Sequence, residues 1–220
     1  MLLEKERSEV VKYCQMMQTH QLTKGTGGNI SVMNREANLV AMSPSGVEYS
    51  TMRPEDVVVC RPDGTVADGN LVPSSELGMH LGILNRRPDL NAVVHTHSMF
   101  AVVLSCAHIE LPAVHYMLGV TGTDTVPCIP YYTYGTKELA DAAGLKFAED
   151  VRIKAILLGN HGIICGGASC GAAFSCAENL EWCSEIYCRA RMMGVEPRIL
   201  TGEQMADIRA AFAGYGQKKK

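Results

Sequence analysis

Several common features are missing from this 220-residue chain, and each absence narrows what it does. None of its nine cysteines forms a Cys-x-x-Cys pair, so the usual zinc-finger and redox patterns are excluded. The first residues, "MLLEKERSEV", carry charges where a secretory leader would have an apolar run. An odd cysteine count without a leader fits a reducing, cytoplasmic setting and thiols used for packing. No apolar stretch approaches the length needed to span a bilayer. Nor does a basic stripe run along the chain: the single basic cluster is Lys218 to Lys220, and the net charge is −3. Neither nucleic acid nor a membrane surface is therefore an expected partner. Aromatics make up 6% of the residues, but the apolar share is 47%, enough at this length for one sizeable core.

What is present reads as alternating helices and short strands. Leu3, Val10, Cys14 and Met17 recur at helical spacing and predict a helix over residues 3–19. "NISVM" and "NLVAMS" read as strands around a polar turn, and "DVVVC" as a buried strand before the turn "RPDGT". In "VPSSELGMHLGILNRR" either Ser74 or Ser75 is a natural N-cap for a helix that buries Leu77, Leu81 and Leu84. "NAVVHTH" is a strand followed by a helix. "TVPCIPYY" is extended and broken by prolines. Residues 136–148 form a helix, "KAILLGNHGIIC" two strands meeting at a Gly-Asn-His-Gly turn, and residues 171–193 a long helix holding Cys170, Cys176, Cys183 and Cys188 on or beside it. Thr201 and Gln204 form a capping box for the last helix. One α/β domain over residues 1–220 is expected, a layered sandwich with a mixed or mostly antiparallel central sheet flanked by helices.

Of the seven histidines, His95 and His97 share a direction by spacing, because residues i and i+2 of a strand lie on one face. Two readings stand: polar termination of a strand, or two metal ligands awaiting a third. His161, in "LLGNHGII", is the candidate third, and three imidazoles with an open position suit a catalytic zinc. His20, His80 and His108 read as structural or surface residues, and His115 is left open. "GTGGN" (Gly25 to Asn29), "SPSG" (Ser43 to Gly46) and "PSSE" (Pro73 to Glu76) offer hydroxyls and backbone N–H groups that can wrap a phosphate, although no Walker A pattern exists. Each alone is more often a tight turn. Glu76 is either a dipole-favoured acid at a helix start or a general base beside a metal.

In order and spacing, "GTGGNIS", "SPSG", "PSSE", "AVVHTHS", "VHYM", Gly135–Thr136 and "LGNHG" resemble the class II aldolase/adducin family over nearly the whole chain, and within it the branch acting on L-fuculose 1-phosphate. The resemblance implies one zinc ion per subunit on His95, His97 and His161, with Glu76 as the acid/base residue that shares the metal when substrate is absent. It implies a phosphate pocket of Asn29, Ser45, Gly46, Ser74 and Ser75, with Thr26 and Gly28 shaping the loop. Tyr116 and Tyr215 match tyrosines that serve a neighbouring subunit's site, and a homotetramer with inter-subunit active sites is implied. The expected reaction is reversible cleavage of a ketose 1-phosphate to dihydroxyacetone phosphate and a small aldehyde such as lactaldehyde.

Departures bear on the substrate. Tyr134 stands where the fuculose-phosphate branch has phenylalanine, and with Tyr131 and Tyr132 it makes the wall against the aldehyde half more polar. A 5-deoxypentulose 1-phosphate or a methylthio analogue is thus also conceivable. Related L-ribulose-5-phosphate 4-epimerases place an aspartate at position 76, and a phosphosugar-acid decarboxylase is a further alternative. A non-catalytic adducin-like interaction module would be expected to lack the three histidines and Glu76.

Overall fold

The computed structural model describes residues 1–214. Its first helix, α1 (Glu4–Thr19), buries Val10, Cys14 and Met17, the stripe that the spacing predicts. Two antiparallel strands follow, β1 (Asn29–Asn34) and β2 (Leu39–Met42), then β3 (Val58–Cys60) and β4 (Val66–Asp68). The short helix α2 (Leu77–Leu84) leads into β5 (Ala92–Thr96) and α3 (Met99–Cys106). Strands β6 (Leu111–Pro112) and β7 (Thr125–Val126) pair as a separate ribbon, and a 3-10 segment, Tyr116–Thr121, lies between them. The chain continues through β8 (Cys128–Ile129), α4 (Lys137–Glu149), β9 (Ala155–Leu158), β10 (Gly162–Gly167), α5 (Cys170–Met192) and α6 (Gly202–Ala213).

Eight strands form one sheet in the order β4-β3-β2-β1-β5-β10-β9-β8. Every neighbouring pair is antiparallel except β8 with β9. Short hairpin links account for the β1–β2, β3–β4 and β9–β10 pairs, since strands joined by a few residues must reverse. The expected mostly antiparallel sheet with flanking helices is what the structure has.

Period-two alternation assigns each strand residue to one of two cores. Ala92 and Val94 of β5 pack with Ile30, Ile163 and residues of α1 and α5 such as Met17 and Phe174. Val93 faces the opposite way, with Met33, Ile156 and Ile164, under Ile83 and Leu84 of α2 and Phe147 of α4. Each such buried aliphatic side chain contributes about 1.5–3 kcal/mol. Alternation then carries His95 to the face of Val93, beneath α2, and Thr96 to the other. Thr96 is buried there, as expected of a residue that supports packing.

Two local readings need adjustment. Glu76, rather than Ser74 or Ser75, occupies the N-cap position of α2. The reason is a turn before the helix, in which Leu77 N donates to Ser74 O at 3.0 Å while Ser74 Oγ accepts from Glu76 N at 3.3 Å. Cysteines serve packing in α1, β3, β10 and α5, but Cys106 is exposed. Among the described residues no helix is long and apolar enough to cross a membrane.

Candidate active site

β5 lies between β1 and β10, with His95 opposite Asn29 on one side and Ile164 on the other. That register brings the "GTGGN" loop, the "HTH" strand end and the "GNHG" turn to one end of the sheet. Gly28, at φ 70, permits the approach: a Cβ there would stand 2.6 Å from the backbone oxygen of His95. Gly162 does the same on the other side, where a Cβ would lie 2.4 Å from Thr96 O.

The three histidines converge. His95 and His97 bring their Nε2 atoms to 3.0 Å, and the ligand atoms of His95, His97 and His161 all lie within 4.8 Å of one another. His95 is 0% exposed and donates from Nδ1 to Ile163 O at 2.7 Å. That bond orients the ring and leaves the Nε2 lone pair for an ion when the ring is neutral.

Glu76 completes the cluster from the start of α2. Its Oε2 is 3.2 Å from His95 Nε2 and its Oε1 is 3.3 Å from His161 Nε2. Burial alone would raise the carboxyl pKa; the charge and hydrogen bond of His95, then His161 and Asn29, hold it well below the usual carboxylate range. Burial, then the charges of His95 and His161, lowers His97 to about 3, and burial with His95 lowers His161 to about 4. Burial also acts against charge on His95, but Glu76 and the Ile163 carbonyl raise it overall.

A divalent cation fits this donor set. Glu76 Oε1 is buried without a hydrogen-bond partner, and an acceptor in that state is costly unless something positive meets it. Three neutral imidazoles and one carboxylate are the ligand types of a catalytic zinc site.

The cluster opens into a cleft of about 530 Å³. Thr26, Gly28, Asn29, Ser45, Gly46, Ser74, Ser75 and Tyr134 all line it, together with Glu76, His97 and His161. Gly27, Pro44, Tyr131, Tyr132 and Asn160 complete the lining. No Lys or Arg lines it among the described residues, so an anion bound within this protomer must rely on hydroxyl and backbone donors. Tyr116 lies outside the cleft, 48% exposed on the 3-10 segment, beside His115, which in turn packs on Trp182. Tyr215 lies outside the described residues.

Some contributors escaped sequence reasoning. Tyr49 donates to Gly28 O at 2.5 Å and pins the glycine loop, but nothing near it in the chain marks it. Thr23 does likewise, donating to Gly27 O at 2.8 Å. His80 is buried against Asn29 and Ser31, and its place one helical turn after Glu76 was the available signal.

Residues 8–188 match the family model described as Class II Aldolase and Adducin N-terminal domain. The chain belongs to the class II aldolase and adducin family. It is an enzyme of the aldolase kind, a lyase of a metal-dependent class. A relative from Bacillus thuringiensis serovar kurstaki, 5-deoxy-D-ribulose 1-phosphate aldolase, is 49% identical over 99% of this chain and 100% of its own. The L-fuculose phosphate aldolase of Haemophilus influenzae is 37% identical over 94% of each chain. A solved structure of an L-fuculose 1-phosphate aldolase superposes with a TM-score of 0.89 at 42% identity, covering 95% of this chain and 96% of the other.

Proposed function

We propose that this chain, acting as one catalytic domain over residues 1–220, is a zinc-dependent aldolase. It reversibly cleaves a ketose 1-phosphate between C3 and C4, and a 5-deoxypentulose 1-phosphate is the first choice of substrate. The observation that carries the reading is one cleft that joins the histidine and Glu76 cluster to three small hydroxyl-rich loops.

His95, His97 and His161 are the residues that would hold the ion, with Glu76 beside it when substrate is absent. Once bound, a divalent cation supplies Lewis-acid stabilisation of negative charge on the ketose oxygens. Ser45, Ser74, Ser75 and Asn29, with the backbone at Gly46 and the loop shaped by Thr26 and Gly28, hold the phosphate and set the position of C3. Glu76 gives its proton to C3 after the C3–C4 bond breaks, and takes it back in the condensation direction. Tyr116 is the candidate group at the aldehyde oxygen: it gives that oxygen a proton in condensation, and in cleavage its phenolate takes the proton from the C4 hydroxyl. Its exposure outside this protomer's cleft supports delivery to a neighbouring site in a homotetramer, with Tyr215 as a second contribution of that kind.

Tyr131, Tyr132 and Tyr134 bear on the choice of aldehyde. Cleaving a 5-deoxypentulose 1-phosphate leaves a two-carbon aldehyde, whereas L-fuculose 1-phosphate leaves lactaldehyde. The 49% identical relative bears the former substrate in its name, and the polar wall here departs from the phenylalanine of the fuculose branch. The deciding experiment is a retro-aldol assay of the zinc-loaded protein on both sugars and a methylthio analogue, with L-ribulose 5-phosphate as control. Dihydroxyacetone phosphate should form fastest from the 5-deoxypentulose. Epimerisation of the control without cleavage of any ketose 1-phosphate would overturn the reading.

A further inference from the structure

Behind the Glu76 carboxylate runs a buried chain of polar groups that bond cleavage does not itself call for. Asn29 Nδ2 donates to Glu76 Oε2 at 2.8 Å. Asn29 Oδ1 lies 2.6 Å from His80 Nε2, and His80 Nδ1 lies 2.7 Å from Ser31 Oγ. All four residues are buried, with His80 and Ser31 wholly so. The fold explains the meeting: Asn29 and Ser31 are alternate residues of β1 on one face, and Glu76 and His80 are one turn apart on the facing helix.

Donor and acceptor inventory fixes every proton in this chain. An ionised carboxylate only accepts, so Asn29 must turn its NH₂ toward Glu76 and its Oδ1 toward the ring. Because Oδ1 also only accepts, His80 Nε2 carries a hydrogen. A neutral ring then offers a lone pair at Nδ1, which the Ser31 hydroxyl satisfies. Burial, reinforced by the charge of His95 and opposed by Glu76, lowers the His80 pKa to about 3, in keeping with a neutral ring.

We infer that His80, as the neutral Nε2–H tautomer, is a positioning residue for the acid/base carboxylate. It locks the Asn29 amide so that Oε2 is occupied by an N–H donor and Oε1 is the oxygen that exchanges the reacting proton. Glu76 Oε1 is the one buried side-chain oxygen without a hydrogen-bond partner among the described residues, so the two oxygens are already distinguished before substrate arrives. Protonating Oε2 instead would break the Asn29 bond and set N–H against O–H. Removing the His80 donor would free the amide to rotate and present its own oxygen to the carboxylate. This inference rests on the reading of Glu76 as the acid/base group.

The test has two arms. First, ¹⁵N-histidine spectra of the metal-free and zinc-loaded protein report the ring tautomer through two-bond couplings, with His80 assigned by the signals lost in His80→Gln. A neutral Nε2–H ring between pH 5.5 and 8.5 is expected; an Nδ1–H or protonated ring overturns the inference. Second, exchange of solvent deuterium into C3 of dihydroxyacetone phosphate is measured for His80→Gln and His80→Leu. The glutamine amide can still donate to Asn29, so its kcat should stay within about fivefold of wild type. Leucine cannot donate, and its kcat should fall about 30-fold, the scale of an unsatisfied buried hydrogen bond, while KM rises by a smaller factor as Asn29 loosens at the phosphate. Equal losses in both variants overturn the inference, as does a loss confined to KM. An inactive wild type with the expected ring signals places the failure in the aldolase reading; an active wild type with the wrong tautomer places it in His80.

Discussion

The two ends of the cleft are built differently. At the metal end His95 is 0% exposed, its ring is bonded to Ile163 O, and Glu76 is tied to Asn29 within a sheet that pairs residue by residue. At the tyrosine wall Tyr134 is 65% exposed, and Tyr131 and Tyr132 precede it on the loop after β8. Reacting groups must be held within fractions of an ångström, whereas a wall that recognises an aldehyde can vary with the sugar. The candidate reacting groups thus sit on strand β5, just after it, in the β9–β10 turn and at the start of α2, and the tyrosines on an exposed loop.

A first contrast comes from removing a ligand. His97→Ala should weaken divalent metal binding by at least about 100-fold, read by metal analysis after dialysis, with the circular dichroism spectrum unchanged. Retention of a full equivalent of metal would erase the distinction between the two ends. A smaller effect is expected at the tyrosine wall. Tyr134→Phe should shift the ratio of kcat/KM between the 5-deoxypentulose and L-fuculose 1-phosphates by about 10-fold, the scale of one hydroxyl interaction. Deuterium exchange into dihydroxyacetone phosphate, which lacks the aldehyde half, should shift less.

How much of this was legible in the sequence follows from the range of each interaction. The alternation in "HTH", the glycines around His161 and the Thr201–Gln204 capping box are local signals, and each appears where expected. Convergence of the three loops needed long-range order in the motifs, which the family resemblance supplied. Contacts set by strand register and helix docking had no local mark: the Ser31–His80–Asn29 chain, the Tyr49 hydroxyl under Gly28, and buried Arg87, which donates to Phe147 O at 2.9 Å and Ile153 O at 2.8 Å. Neither Ser74 nor Ser75, the two caps that the sequence offers, starts α2, because a turn before the helix moves its N-cap to Glu76.

A further prediction concerns acid stability at the buried end. His80 titrates at about 3 in the folded chain, below its ordinary value, so the unfolded chain binds the extra proton first. Its contribution to stability is present above pH 6.5 and is lost as pH falls from there toward 3, with a slope of at most about 1.4 kcal/mol per pH unit. Urea unfolding of metal-free protein should therefore show wild type losing stability faster than His80→Gln between pH 6.5 and 4.5. Tyr134→Phe should follow wild type. Parallel curves for wild type and His80→Gln would deny the buried ring this role.

The account turns on Glu76 as the group that moves the C3 proton beside a bound ion. Its most direct test is deuterium exchange at C3 of dihydroxyacetone phosphate by zinc-loaded wild type and Glu76→Gln, with zinc content measured in both samples. Wild type should exchange one hydrogen stereospecifically, and Glu76→Gln should keep its zinc while exchanging about 1,000-fold more slowly. An unchanged exchange rate in Glu76→Gln at equal zinc content would contradict the account.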